Sequence, residues 1–294
     1  MKLAIASGKG GTGKTTLATN LAVVAAELGR RVAYVDCDVE EPNGHLFLKP
    51  SIEVREPVTL LVPQVLVDGC DRCGLCAQVC QYSALVWLGD KPLVFPELCH
   101  GCGGCALVCP KHTIIEAPRE IGRVEAGHAG PVQFVHGLLN VGEAKSPPVI
   151  RAVRAAAPDV DWQIIDAPPG TSCPVVAAVR ECDFVLLVTE PTPFGLHDLT
   201  LAVETLRQVG LPMAVVINRA DVGDERVERY CTAEAIPVLL RIPDDRRVAE
   251  AYSRGELLVT AVPELRAALT ELWGRLEEQM ATHAVARGSE HADL

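Results

Sequence analysis

The sequence predicts an α/β fold: a mostly parallel sheet with helices on both faces, carrying a small inserted α+β domain. Three observations predict it. Short, wholly apolar runs alternate with segments of helical periodicity along most of the chain, as strands covered on both faces by crossover helices do. The chain opens as strand, glycine-rich turn and helix. Between about Pro63 and Pro118 the alternation stops, and cysteine, glycine and proline replace it.

Leu3-Ala4-Ile5-Ala6 is the first strand. From Lys14 a helix follows, with Leu17, Leu21, Val24, Ala25 and Leu28 at helical spacing and Gly29 as its stop. The buried strand Val32-Ala33-Tyr34-Val35 ends at Asp36. After the break, alternation resumes beyond the glycine-rich stretch Gly122 to Gly130. Further strands are expected at Val132–Val135, Trp162–Ile165, Phe184–Val188, Ala214–Ile217 and Val238–Leu240. Glu264 to Met280 places Leu265, Leu269, Leu272, Trp273 and Leu276 on one face of a terminal helix. Its polar face carries more Glu than Arg, which disfavours a membrane anchor. The expected domains are therefore 1–62 with 119–282, an insertion at 63–118, and a flexible tail at 283–294.

The chain of 294 residues carries 27 Lys and Arg against 38 Asp and Glu, a net charge of −11. That surface disfavours coating nucleic acid or an anionic membrane, both of which need basic patches. No uncharged apolar run approaches the ~20 residues that span a bilayer, so no membrane insertion is expected. Eight of the 12 cysteines fall between Cys70 and Cys109. The opening residues read as folded structure rather than as a signal peptide, so a reducing cytoplasm is the expected compartment.

Gly8-Lys9-Gly10-Gly11-Thr12-Gly13-Lys14-Thr15 has the P-loop spacing, Gly-x₄-Gly-Lys-Thr, between a strand and a helix. Backbone N–H groups of such a loop hold phosphates at a helix N-terminus, a lysine in the position of Lys14 neutralises β- and γ-oxygens, and a hydroxyl in the position of Thr15, followed here by Thr16, binds Mg²⁺. The second lysine, Lys9, makes the loop resemble the deviant Walker A motif of the MinD/Mrp family of P-loop ATPases. The resemblance covers about residues 1–62 and 119–280. It implies ATP and Mg²⁺ as ligands, a nucleotide-sandwich dimer with itself or a paralogous ATPase, and Lys9 reaching the partner's phosphates. It further implies that Asp38, in Asp36-Cys37-Asp38, orients the attacking water beside the metal, and that Asp166 holds Mg²⁺ through water. Ala167 to Thr171 corresponds to switch II, Asn218-Arg219 to the adenine-contacting segment, and Pro243-Asp244 to a second adenine-side segment.

Cys70, Cys73, Cys76 and Cys80 are spaced C-x₂-C-x₂-C-x₃-C, and Cys99, Cys102, Cys105 and Cys109 repeat that spacing. The doubled run resembles a bacterial two-cluster ferredoxin. The resemblance implies one [4Fe–4S] cluster on Cys70, Cys73, Cys76 and Cys109, and another on Cys99, Cys102, Cys105 and Cys80. Zinc is the alternative, although the third cysteine of each triplet would then be redundant. Pro110 follows the second run, whereas Gln81 follows the first. His100 is expected beside a cluster, not on it. Cys182 and Cys231 read as buried hydrophobes. Cys173, seven positions after Asp166, sits at an offset similar to that of a cluster ligand in the nitrogenase iron protein; the alternative is a thiol packed beside the P-loop.

Three functions compete. An ATPase of low intrinsic turnover, stimulated by its dimer or a partner, would gate electron transfer from the ferredoxin domain to a redox or iron–sulfur partner. A cluster carrier of the Mrp type is weakened because only isolated cysteines follow Asp166. A MinD- or ParA-like spatial organiser is disfavoured by the acidic surface. Two oxidised clusters with their thiolates add about −2 each, so a docking partner is expected to be basic.

Overall fold

In the computed structural model, which describes residues 1–290, the apolar runs form one nine-stranded sheet. β1 (Lys2–Ala6) leads through the glycine-rich loop to α1 (Lys14–Glu27). Gly13 precedes the helix at φ 98°, a left-handed conformation that a Cβ would strain. β2 (Val32–Asp36) is buried throughout and is followed by α2 (Gly44–Leu48). β3 (Ser51–Val65) then leaves the body of the protein. α3 (Leu75–Val79), β4 (Leu85–Leu88), β5 (Lys91–Val94) and α4 (Gly104–Leu107) build the insertion, and β6 (Ile114–Ala129) returns. The remaining strands are β7 (Val132–Leu139), β8 (Trp162–Asp166), β9 (Phe184–Thr189), β10 (Met213–Asn218) and β11 (Val238–Ile242). Between and after them come α5 (Pro147–Ala156), α6 (Cys173–Val179), α7 (Pro193–Val209), α8 (Arg226–Ala233), α9 (Arg246–Ser253), α10 (Leu258–Ala261) and α11 (Pro263–Glu290).

The strand order is β11-β10-β9-β1-β8-β2-β7-β6-β3. The seven strands from β11 to β7 are parallel, and β6 and β3 continue the sheet antiparallel. Alternate side chains of each parallel strand enter two cores. Leu3, Ile5 and Ile164 pack with α1 and with Leu272, Trp273 and Leu276 of α11. Ala4, Val35 and Ile165 pack on the other face with α5, α6 and α7. The Trp162 and Trp273 rings, with centroids 4.6 Å apart, join sheet to terminal helix. No helix among the described residues is long and apolar enough to cross a membrane.

The long ribbon of β3 and β6 is the departure from expectation. The stretch Gly122 to Gly130, after which the alternation is expected to resume, lies largely within β6. Its glycines admit neighbouring backbone: a Cβ on Gly127 would stand 1.9 Å from the Ser51 carbonyl oxygen, and one on Gly122 2.5 Å from that of Leu138. The ribbon is irregular near Ile52/Val54 and Val58/Thr59, which bends it. The expected boundaries at 62/63 and 118/119 therefore fall inside paired strands, with Leu60 opposite Arg119 and Val62 opposite Ala117. At the other end, α11 continues to Glu290, past the expected start of the tail at 283; residues 291–294 of that tail lie outside the described residues.

An Asn-Gly turn joining Leu60 directly to Arg119 should close the ribbon as a short hairpin and leave cooperative thermal unfolding and ATP affinity within about threefold of the full chain. Loss of nucleotide binding in that shortened chain would show the insertion to be part of the ATPase fold.

Candidate functional site

The carboxyl ends of the parallel strands surround a cavity of about 490 Å³, where ligands of open α/β sheets bind. Gly10, Gly11, Gly13, Lys14, Thr15 and Thr16 form its floor, Asp38 one side, and Asn218, Arg219, Pro243 and Asp244 the opposite side. Gly8, Lys9 and Thr12 belong to the same loop but do not line the cavity. Gly8 lies under α7, where an added Cβ would stand 2.2 Å from the Asp198 carbonyl oxygen. Asn218 Nδ2 donates to the Thr12 carbonyl at 2.9 Å, clipping the end of β10 to the loop. An apolar wall of Val248, Leu258, Leu265 and Leu269 completes the cavity. The sequence reading missed that wall, because helical periodicity marks a buried face without saying what it faces.

Beneath the loop, Asp36 and Asp166 are opposite one another on adjacent strands and are fully buried. The Tyr34 hydroxyl lies between them, 2.9 Å from Asp166 Oδ2 and 3.2 Å from Asp36 Oδ2. Asp36 also accepts the N–H groups of Gly44 at 3.0 Å and Asp38 at 3.1 Å, so it shapes the segment that carries Asp38. Gly44 has to be glycine, because a Cβ there would stand 2.2 Å from the Tyr34 hydroxyl oxygen.

Burial pushes both carboxyls above the usual carboxylate range, and each feels neighbouring charge. Burial pushes the Lys14 ammonium down, opposed by Asp166, Asp38 and Asp36. Asp38 is pushed up to about 6 by burial, with Asp166 adding to the rise and Lys14 opposing it. Thr15 and Lys14 pull Asp166 back, yet its Oδ1 is buried without a hydrogen bond of ordinary geometry. Three acidic groups around one lysine, with an acceptor oxygen open, suit a hard divalent cation. Thr15 and Asp38 line the cavity, and Asp166 lies buried beneath it.

Lys9 points elsewhere. Its Nζ pairs with Glu190 Oε2 at 3.0 Å, Glu190 Oε1 pairs with Arg219 at 3.2 Å, and Arg219 reaches Asp244 at 3.4 Å. Glu190, at the end of β9, is nine-tenths buried at its side chain. Lys9 therefore has a partner within its own chain that any contact across a dimer must displace.

The insertion holds two smaller cavities. Cys70, Cys73, Cys76 and Cys109 line one; Cys99, Cys102, Cys105 and Cys80 line the other. Each gathers three cysteines of one run and the fourth of the other. Left-handed Gly74 and Gly103 start α3 and α4, curling each run about its cavity. Backbone N–H groups of Arg72, Gly101 and Thr113 donate to the sulfurs of Cys70, Cys99 and Cys109, each at 3.4 Å. Hydrogen bonds from the Thr113 hydroxyl and amide pull the Cys109 thiol down, whereas burial pushes Cys105 up. All are free thiols. Among the described residues no three His, Cys, Asp or Glu side chains converge on a single metal ion. A four-iron cube takes one thiolate per iron, so its sulfurs stand at the corners of a larger tetrahedron. His100 stacks on Tyr82, centroids 3.6 Å apart, beside the second cavity. Cys182 and Cys231 are buried, and Cys173 is exposed at the start of α6.

A glycine-rich loop between a buried parallel strand and a helix, with a lysine and a carboxylate cluster beneath it, defines a P-loop nucleotide-binding protein. The chain belongs to the CobQ/CobB/MinD/ParA nucleotide-binding domain family, which it matches over residues 3–259. An uncharacterized protein of Methanocaldococcus jannaschii is 31% identical over 282 residues, covering 95% of this chain and 97% of that one. The iron-sulfur cluster carrier protein of Pyrococcus horikoshii is 25% identical over 279 residues, covering 86% and 77%. Among solved structures, the septum site-determining protein MinD of P. horikoshii complexed with Mg-ADP superimposes with a TM-score of 0.61 at 20% identity, covering 96% and 98%. That likeness extends to the fold.

Two outcomes follow for the nucleotide site. Lys14→Ala should lower ATP turnover at least ~100-fold while far-UV circular dichroism shows the fold retained. For the intact protein, kcat/KM for ATP should fall as pH drops through about 6, because a protonated carboxyl is a much weaker hydrogen-bond acceptor than a carboxylate. In Asp38→Asn the rate should be low and that limb absent.

Proposed function

We propose that this chain is an ATPase whose nucleotide-closed dimer controls electron transfer through two resident [4Fe–4S] clusters. The observation that supports it best is the pair of cavities, each with a full set of four cysteines drawn from both runs. When bound, each cluster supplies one-electron redox chemistry. Cys70, Cys73, Cys76 and Cys109 would hold one, and Cys99, Cys102, Cys105 and Cys80 the other. A reduced donor protein supplies each electron, and an acceptor protein with a basic face takes it.

ATP and water give ADP and phosphate by in-line attack on the γ-phosphate. The N–H groups of Gly10, Gly11 and Gly13 to Thr16, which line the cavity, hold the phosphates, and Asn218, Arg219, Pro243 and Asp244 border the base. Asp38 accepts a hydrogen bond from the attacking water and orients it. Lys14 neutralises charge on the γ-phosphate, and Lys9 does so from the partner subunit after leaving Glu190. Thr15, Asp38 and Asp166 would hold Mg²⁺, which would supply charge screening at the phosphate oxygens. Exposed Cys173 follows switch II, where the same thiol of a second copy, or of a paralogous ATPase, would face it across the dimer and share a further cluster. The reaction belongs in a reducing cytoplasm.

A second reading, delivery of clusters to apo-proteins, draws support from the name of the P. horikoshii carrier protein. Against it, four thiolates from one chain leave no ligand free for handover. Of the cysteines beyond Asp166, only Cys173 is exposed.

Anaerobically purified protein should carry about eight irons per chain, falling by about half in Cys70→Ser and again in Cys99→Ser. A non-hydrolysable ATP analogue should dimerise it and change the rate at which it reduces an acceptor. Iron that leaves for an apo-protein under chelator challenge, with no ATP effect on electron transfer, would establish the carrier reading instead. Iron above eight per chain that is lost in Cys173→Ser would establish the shared cluster. Glu190→Gln should let the dimer form at lower protein concentration, measured by sedimentation, whereas Lys9→Ala should weaken dimer and turnover together.

A further inference from the structure

The loop between β7 and α5, residues 140–146, touches three parts of the protein that the proposed function requires to act together. At its start, Leu139 N–H donates to the carbonyl of Val39, the residue after Asp38, at 2.8 Å, and Asn140 N–H donates to the Ile121 carbonyl of the ribbon at 2.9 Å. At its end, α5 packs through Val149, Ile150 and Val153 against Val175, Ala178 and Val179 of α6, the helix that follows switch II. In between, Lys145 Nζ donates to the backbone carbonyl of Glu97 at 2.5 Å. Glu97 lies two residues before Cys99, in a turn closed by Leu98 N–H to Phe95 O at 3.1 Å and Cys99 N–H to Pro96 O at 3.2 Å. Among the described residues this is the one hydrogen bond that reaches the insertion, beyond the ribbon, from the nucleotide-binding body.

Lys145 is held in place for that contact. The Glu143 side chain is 3% exposed and accepts from Lys145 Nζ at 2.7 Å, and from Arg119 of β6 at 2.5 Å. Its other support is the Lys145 N–H at 3.1 Å. A carboxylate so buried is costly unless it is fully paired, and a buried ion triad fixes one geometry better than it adds stability. An exposed lysine would have served if solubility were all that this position required.

We propose that Glu143 and Lys145 are positioning residues, forming a strut through which the nucleotide state of the two switch segments sets the position of the loop that carries Cys99, Cys102 and Cys105. The inference rests on the reading above that the switches respond to ATP and that this loop holds a cluster. A shift of the Val39 segment or of α6 moves the ends of the 140–146 loop, and Lys145 carries that movement to Glu97. The first cysteine loop, residues 70–76, has no such link among the described residues, so the two sites answer unequally.

The test is hydrogen–deuterium exchange on the full holoprotein with and without AMP-PNP, followed by iron counting of each sample. In the wild type, the analogue should change exchange at 95–102 but not at 66–76. In Lys145→Met that change at 95–102 should be lost, while protection of the P-loop, basal ATP turnover and iron content stay as in the wild type. Glu143→Gln, which keeps shape and lowers charge, should diminish it, and serves as the second variant if Lys145→Met folds poorly. A nucleotide-induced change at 95–102 that persists in both variants overturns the strut, as does a wild type in which AMP-PNP protects the P-loop and leaves 95–102 unmoved. Absence of iron from a wild type that still shows the shift would overturn the cluster reading and leave the strut standing.

Discussion

Two carboxyl groups buried side by side on neighbouring strands are the constraint on which the rest of the nucleotide site depends. Asp36 and Asp166 are each 0% exposed, and at that burial two full charges would repel each other with little screening. Desolvation lifts both above the usual carboxylate range, in Asp166 against the pull of Lys14. Tyr34, Gly44 and the N–H of Asp38 are all placed by the need to satisfy these oxygens. Asp38 inherits its position from that arrangement, because the turn that carries it is anchored on Asp36 Oδ1.

The same economy appears in Glu190. A side chain that is 10% exposed balances one lysine from the glycine-rich loop and one arginine from the end of β10. Neither cation has to be left unpaired. Moving Lys9 out of that pair transfers the cost to Glu190, which retains Arg219. The Lys9 pair is partly wet, so breaking it costs little beside a fully buried pair.

What was legible in the sequence is what local chemistry encodes. The P-loop, the parallel strands and the doubled cysteine spacing all follow from residues within a few positions of one another, and the strands appear where apolar runs place them. The ribbon was hidden because strands open to solvent on both faces need no alternation, and because Pro63 and Pro118, which bound the break in the pattern, sit on an edge strand or near the tip of a pair. Glu190 was hidden because its partner Lys9 is 181 positions away. Tyr34 read as core, which it is, and nothing in a buried strand announces that its hydroxyl lies between two acids. Glu143 and Lys145 look like an ordinary charged loop until the fold brings Arg119 and Glu97 beside them.

The insertion raises a mechanical question that its composition answers in part. Apart from cysteines, its two small cores bury only Leu85 and Ile114 in one, Val62 and Ala84 in the other, too little apolar surface for a unit of this size to hold itself rigid. A cluster held as proposed in each four-cysteine cavity would have a structural task as well as an electronic one, since cross-linking two distant runs would replace the missing core. Rigidity of the insertion alone would not transmit the state of the nucleotide. A two-stranded ribbon twists and flexes when nothing covers it, and a body held by one such ribbon follows its anchor loosely. A second attachment beyond the ribbon removes the hinge-like freedom about it, which makes the contact of Lys145 with Glu97 more consequential than one hydrogen bond's contribution to stability.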